Sequence, residues 1–270
     1  MTHPLSVSAL FDTVLTGRAG PPPESLTATS VHWLQHGTRL AGSETTFVTR
    51  YVLVRVGAAF GACAFEAGEI EPGVCVEASG ATLDRLLTHE VPAVRIAALD
   101  AYLAAGRPHP DAGAEPVPLP AGSPETRARA RDAAVAGLLD VAPGSRVALI
   151  GVVNPLVAAI RDRGARCLPC DLNLRTTQWG DPVEPDMARV LDRADAVVAT
   201  GMTLGNGTFD TTLAHCREQG KPFIVYAQTG SAVARAFLGG GVSALSAEPF
   251  PFSQCSAEPT TLYRYRGPAT

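Results

Sequence analysis

Long apolar runs are missing from this chain of 270 residues. No stretch approaches the roughly 18 consecutive apolar residues that a membrane-spanning helix needs. The amino terminus, Met1-Thr2-His3-Pro4, has no basic segment followed by an apolar one, so it does not read as a secretory signal. A cytoplasmic location is expected. Positive charge is not in excess either. Lys and Arg total 22 against 26 for Asp and Glu, a formal net charge of −4, so there is no basic footprint for nucleic acid. Aromatic residues make up only 6%, and Arg far outnumbers Lys; both read as compositional bias without functional content. The six cysteines, Cys63, Cys75, Cys167, Cys170, Cys216 and Cys255, are too scattered for a small disulfide scaffold. Free thiols in a reducing compartment are expected. There is no G-x-S-x-G elbow, no P-loop and no G-x-G-x-x-G run.

What remains is ordinary globular material, 46% hydrophobic and 18% charged, enough for one large domain or two modest ones. Residues 106–123 (GRPHPDAGAEPVPLPAGS) hold five prolines and three glycines and show no apolar periodicity. They read as an extended connector. The first unit, residues 1–105, opens with a helix near Ser6–Thr16. A β-branched alternating run follows at Thr46–Val56, with a hairpin partner at Ala58–Glu66. Leu83, Leu86 and Leu87 then sit at helical spacing, and Val91–Ala105 is an Ala-rich helix with Pro92 in its first turn. Strands followed by helices make an α+β unit.

The second unit, residues 124–270, begins with a helix to about Asp140, with Ser123 as N-cap, Pro124 at the first position and Glu125 complementing the dipole. Short apolar strands at Val147–Gly151, Arg166–Cys170, Ala196–Ala199 and Pro222–Tyr226 then alternate with helices at Pro155–Asp162 (Asn154 as N-cap), Pro185–Ala194, Asp210–Gln219 and Ser231–Phe237. That alternation predicts a Rossmann-like α/β domain with a parallel sheet covered on both faces.

An open parallel sheet binds ligands beyond the carboxyl ends of its strands, where strand order reverses. Four segments fall there. Gly151-Val152-Val153-Asn154-Pro155 leads from strand to helix, but Val152 and Val153 stand where a pyrophosphate would need small residues, so NAD is disfavoured. Asp171 lies 20 residues beyond Gly151, at the offset of a ribose-binding acid. An adenosyl ligand without a pyrophosphate, such as S-adenosylmethionine, fits that combination better than NAD does. Thr200–Thr208 (TGMTLGNGT) combines three glycines with three hydroxyls. It predicts an open loop with exposed N–H groups, to which Thr203 and Asn206 add directed hydrogen bonds. Gln228-Thr229-Gly230-Ser231 repeats the geometry after the fourth strand. Each segment also has a plainer reading, as a strand-to-helix turn or a helix cap.

Cys167-Leu168-Pro169-Cys170 has the C-x-x-C spacing of a redox pair or half a metal site. It falls inside a predicted strand, and no second pair or H-x₃₋₅-H follows, so buried structural cysteines are the plainer reading. The six histidines show no zincin spacing; His32 and His36 are i, i+4 without the intervening Glu of a zincin helix.

Three segments carry a family resemblance: Val147–Pro155 (VALIGVVNP), Asp195–Thr208 (DAVVATGMTLGNGT) and Phe237–Leu245 (FLGGGVSAL). The chain resembles the DUF364 family, proposed to act in heavy-metal chelation, in which a DUF4213 domain comes first. The resemblance implies an enolase-N-terminal-like α+β domain packed on a Rossmann-like domain, with a ligand site in the cleft between them. Two departures stand out: Asp100 where that family has Asn, and Ala227–Ser231 where a G-P-S/T-like turn is expected.

The expected site residues are therefore Asn154, Asp171, Thr200, Gly201, Thr203, Asn206, Gly207, Thr229 and Ser231, with no metal ligands and no assignable catalytic residue. The expected function is binding of an amino-acid-like or adenosyl-type small molecule. An enzyme acting in metallophore or metal-chelate metabolism is preferred to a non-catalytic binding protein for a small molecule or heavy-metal chelate. Direct metal binding by Cys167, Cys170 and a histidine is the third alternative. The partner is a small molecule, neither nucleic acid nor membrane, with homo-oligomerisation left open.

Overall fold

The structure is a computed structural model that describes residues 3–39 and 46–268. After helix α1 (Val7–Leu15), strands β1 (Ser30–Thr38), β2 (Phe47–Val56) and β3 (Ala59–Phe65) form an antiparallel three-stranded sheet. Short helices α2 (Val74–Ala78) and α3 (Leu83–Leu87) follow, then the long α4 (Pro92–Gly106). Alanine makes α4 unusual. Ala93, Ala97, Ala98 and Ala101 let neighbouring backbones come close, and Gly61 on β3 has its Cα against Ala97 and Ala101, where any Cβ would collide with the α4 backbone.

Within the segment 106–123, one short stretch forms a strand. His109 is buried, and β4 (Glu115–Leu119) adds to the rim of the second sheet. Pro116 and Pro118 fall at alternate positions, which an edge strand tolerates because only one of its sides must supply donors.

Next come α5 (Pro124–Ala136), β5 (Arg146–Ile150), α6 (Asn154–Asp162), β6 (Arg166–Cys170), α7 (Met187–Arg193) and β7 (Ala196–Thr200). They are followed by α8 (Met202–Gly205), α9 (Phe209–Gln219), β8 (Phe223–Ala227), α10 (Ser231–Arg235), β9 (Ala244–Ala247) and β10 (Thr260–Arg266). The seven-stranded sheet runs β4-β10-β9-β8-β7-β5-β6. Strands β5 to β9 are parallel, and β10 is antiparallel to both its neighbours. The protein is thus a mixed α/β structure with a mostly parallel large sheet and a small antiparallel one. The Ser123 cap on α5 forms as the sequence implies, its Oγ accepting from Thr126 N at 3.2 Å.

Apolar side chains divide by sheet face. Ala148, Ile150, Val197, Ala199, Val225 and Leu245 share one cluster with Val52, Cys63 and Leu99 of the first unit, so one core runs through both sheets. Val147, Leu149, Val198, Ile224 and Tyr226 form the other face, covered by α5 and α6 through Val135, Leu156 and Ile160. Strand order turns about β5: β6 lies on one side and β7 on the other. A crevice therefore opens beyond the carboxyl ends of β5 and β7.

Candidate functional site

A cavity of about 350 Å³ occupies that crevice. Its near wall comes from the strand ends: Gly151 to Pro155 after β5, Asp171 after β6, Thr200 to Met202 at the end of β7, and Tyr226, Gln228 and Thr229 at the end of β8. Its far wall comes from the first sheet, with His36 and Thr38 on β1 and Phe47, Thr49 and Tyr51 on β2. Phe47, Thr49 and Tyr51 share one face of β2 because side chains alternate along a strand. Arg131 on α5 and Gln254 near the C-terminus close the remainder.

Five of the residues expected from sequence meet here: Asn154, Asp171, Thr200, Gly201 and Thr229. Two of the five have roles other than those expected. Val153, not Asn154, holds the N-cap position of α6; Asn154 turns its Oδ1 to Gln178 N at 3.1 Å and ties down the β6–α7 loop. Asp171 borders the cavity, but its carboxylate already accepts three backbone N–H groups: Val152 at 2.9 Å, Asn173 at 2.8 Å and Leu174 at 3.0 Å. It pins the β5–α6 turn to its own loop.

Four expected residues lie outside the cavity. The run after β7 is not an open loop but coils into α8. Thr203 is buried and donates to Thr200 O at 2.8 Å. Asn206 Oδ1 accepts from Thr208 N at 3.1 Å and Thr208 Oγ1 at 2.7 Å, a local turn that consumes its acceptor. Gly207 takes a left-handed φ of +77° and borders a different hollow beside α1. Gly201 and Gly205 are small for packing reasons. A Cβ on Gly201 would collide with Thr229 O, and one on Gly205 would stand 2.8 Å from Cys63 Sγ and 2.9 Å from Ala64 O of β3. Ser231 is buried with its Oγ 3.0 Å from His109 Nε2, and His109 Nδ1 lies 2.7 Å from the Tyr265 hydroxyl. Burial, helped by the Arg235 charge, lowers the His109 pKa to about 3, so this imidazole is neutral.

Further polar groups line the cavity: Arg131, Tyr226 and Gln254 from elements that sequence reading treats as plain, and Gln228 from the candidate turn after β8. Arg131 is 9% exposed. Its Nε meets Asp132 Oδ1 at 3.1 Å, and its guanidinium carbon sits 5.5 Å from the centre of the Tyr226 ring. Burial opposes its charge, but the carboxylates of Asp132 and Glu248 more than offset this, and it stays protonated. Burial pushes the Tyr226 hydroxyl pKa far above its ordinary value. Gln228 and Gln254 form a reciprocal amide pair at 2.8 and 3.1 Å. Gln228 also donates to Glu248 Oε2 at 2.8 Å, and Gln254 donates to the Tyr51 hydroxyl at 3.2 Å. This network joins the first sheet to the end of β8.

Asp100 does not reach the cavity. It links the two units: its Oδ2 accepts from Ala62 N on β3 at 2.9 Å, and its Oδ1 from Ala232 N and Val233 N on α10 at 2.7 and 3.3 Å. Both oxygens face donors, which a carboxylate satisfies; the amide of an Asn could accept on one side only. Burial pushes its pKa up to about 6, held down from a higher value by those three N–H groups. Cys167 and Cys170 lie on opposite faces of the sheet, Cys170 in the shared core and Cys167 against the α6 side. They cannot both ligate one ion. Burial raises their thiol pKa values to about 12 and about 11. Among the described residues no three His, Cys, Asp or Glu side chains converge as a metal site, and no helix is long and apolar enough to cross a membrane.

Comparison with known proteins places the second half of the chain. Residues 134–247 match the DUF364 family model, described as "Putative heavy-metal chelation". This segment is similar to a DUF364 domain. Two solved DUF364 proteins of unknown function share the fold. The one from Desulfitobacterium hafniense DCB-2 is 16% identical, covering 89% of this chain and 85% of its own, with a TM-score of 0.59. The one from Pyrococcus horikoshii is 13% identical, covering 97% of this chain and 99% of its own, with a TM-score of 0.56. None of the curated proteins matches the chain. The likeness extends over both units, beyond the DUF364 segment itself, and at these identities it speaks for fold alone. The DUF4213 expectation for the first unit concerns residues outside the matched segment.

Proposed function

We propose that the protein binds a small organic molecule in the cavity between its two sheets and acts on it as an enzyme. The observation that carries this reading is the cavity's position. It lies at the carboxyl edge where strand order reverses, walled by backbone turns on one side and by Phe47, Thr49 and Tyr51 on the other. Its volume of about 350 Å³ falls within the range of small-ligand sites and suits a ligand of modest size. Mixed walls, apolar at Phe47 and Met202 and polar at Arg131, Thr200 and Gln228, suit an amino-acid-like or adenosyl-type molecule. Val152 and Val153 at the β5–α6 turn argue against a dinucleotide.

The family's description enters through the ligand. No cluster of donor side chains gathers among the described residues, which favours an organic chelator, or its precursor, as the bearer of any metal. Placement in metal-chelate metabolism is the reading that follows. Native mass spectrometry of the gently purified protein tests it. The expected result is a non-covalent adduct of small mass that is lost on denaturation. Chemical conversion of that ligand on incubation supports the enzyme; an unchanged ligand supports a non-catalytic carrier. Absence of an adduct, together with no thermal stabilisation by amino acids, S-adenosylmethionine or organic chelators, would remove the binding function.

A further inference from the structure

Within the cavity, one corner is equipped for a negative charge. Thr200 on β7 and Tyr226 on β8 are in-register neighbours on the sheet face that α5 and α6 cover. Thr200 is 8% exposed, and its Oγ1 has no hydrogen-bond partner in the protein. An unsatisfied buried hydroxyl is costly unless a guest completes it. It points at Gly151, the first residue of the turn into α6, whose missing Cβ leaves room for it. Helix α6 has nine residues; Leu156 N and Val157 N both donate to Val153 O and Pro155 has no N–H, so the Asn154 N–H is the first-turn donor left without a partner among the described residues, at the edge of the same space. From above, Arg131 reaches over Tyr226 into the cavity. Asp132 and Ser253 occupy part of its guanidinium, which has five N–H donors in all.

We propose that Arg131, the Thr200 hydroxyl and the amino end of α6 form a subsite for a single carboxylate of the ligand. The inference rests on the small-molecule reading above and names the chemistry of one end of that molecule. Charge decides between carboxylate and phosphate. Arg131 is already flanked by Asp132 and Glu248, and Asp171 borders the cavity, so the corner has room for one negative charge and little for a second. The apolar groups Phe47, Tyr51 and Met202 lie elsewhere on the cavity wall, where the rest of the ligand would extend.

Saturation-transfer NMR tests this with 3-phenylpropionate, phenylalanine and methionine, each beside its carboxamide, and with inorganic phosphate. The wild-type protein should bind acids at least tenfold more tightly than amides, and phosphate not at all. Thr200→Val replaces a hydroxyl that bonds nothing in the protein with a methyl of similar shape. It should melt at or above the wild-type temperature while losing roughly ten- to a hundredfold in acid affinity. A purely structural Thr200 would instead show unchanged affinity. Arg131→Gln should abolish the preference for acids over amides; because it leaves Asp132 without its partner, the Thr200 variant carries the decision if it unfolds. Amides binding as well as acids, phosphate binding that depends on Arg131, or full acid affinity in Thr200→Val would each overturn the carboxylate subsite while leaving the cleft reading in place. Silence from every probe would count against the cleft itself and overturn both.

Discussion

The hydroxyl of Thr200 occupies the space in front of Gly151 that a Cβ would need, so the turn leaving β5 and the end of β7 are fitted to one another. Gly151 also has a φ of +85°, where side chains are strained. Strain and collision act together, so Gly151→Ala should destabilise the protein by roughly 2–4 kcal/mol. Urea unfolding measures it. A cost below about 0.5 kcal/mol would mean that the β5 turn and Thr200 are not packed as described.

Asn206 sits in a glycine-rich run after a strand, where the sequence points to a ligand role. Its acceptor is spent on Thr208 inside the turn that starts α9. Asn206→Ala is therefore expected to lower stability by about 1 kcal/mol, the worth of a local side-chain cap, with ligand affinity unchanged. Calorimetry and thermal unfolding on one preparation read both quantities. Lost affinity at wild-type stability would return Asn206 to the site.

Asp100 should leave a signature in the pH dependence of folding. Its native pKa, about 6, lies above the ordinary 3.8, so the folded state holds this proton more tightly than the unfolded chain does. The resulting stabilisation is full below about pH 4 and is lost as the pH rises to about 6, on the order of 2–3 kcal/mol across that window. Asp100→Asn removes the titrating group. The stability difference between wild type and variant should therefore move in the variant's favour between pH 4 and 6 and then level off. A difference that stays constant from pH 4 to 7 would show that burial does not raise this pKa.

The fold was legible where chemistry and period agree. Strands β5 to β8 are short apolar runs between Gly, Pro and Asn, and their carboxyl-edge position followed from the alternation with helices. Strand β1 was not legible, because SVHWLQHGT puts half-exposed polar residues on both faces of a thin sheet and has no clear alternation. Strand β4 was hidden by its prolines, which only an edge position permits. In the site, the sequence located the turns but not how their side chains are used. Thr203 and Asn206 are spent on local partners, Thr200 O and Thr208, whereas Ser231 meets His109, which only the fold brings near. Arg131 was likewise invisible. In PETRARARDAAVA it looks like one more arginine of a solvated helix, and only the packing of α5 over Tyr226 buries it.

The central claim is that a small molecule occupies the cavity between the two sheets. A crystal structure of the protein with its co-purified ligand, or with a carboxylate selected by NMR, tests it most directly. The account predicts ligand density bounded by Thr200, Arg131 and Tyr51, with an acidic group within hydrogen-bond distance of the Thr200 hydroxyl. Density instead in the hollow beside α1 and Phe209, or on the outer surface with the Thr200 cavity empty, would contradict it.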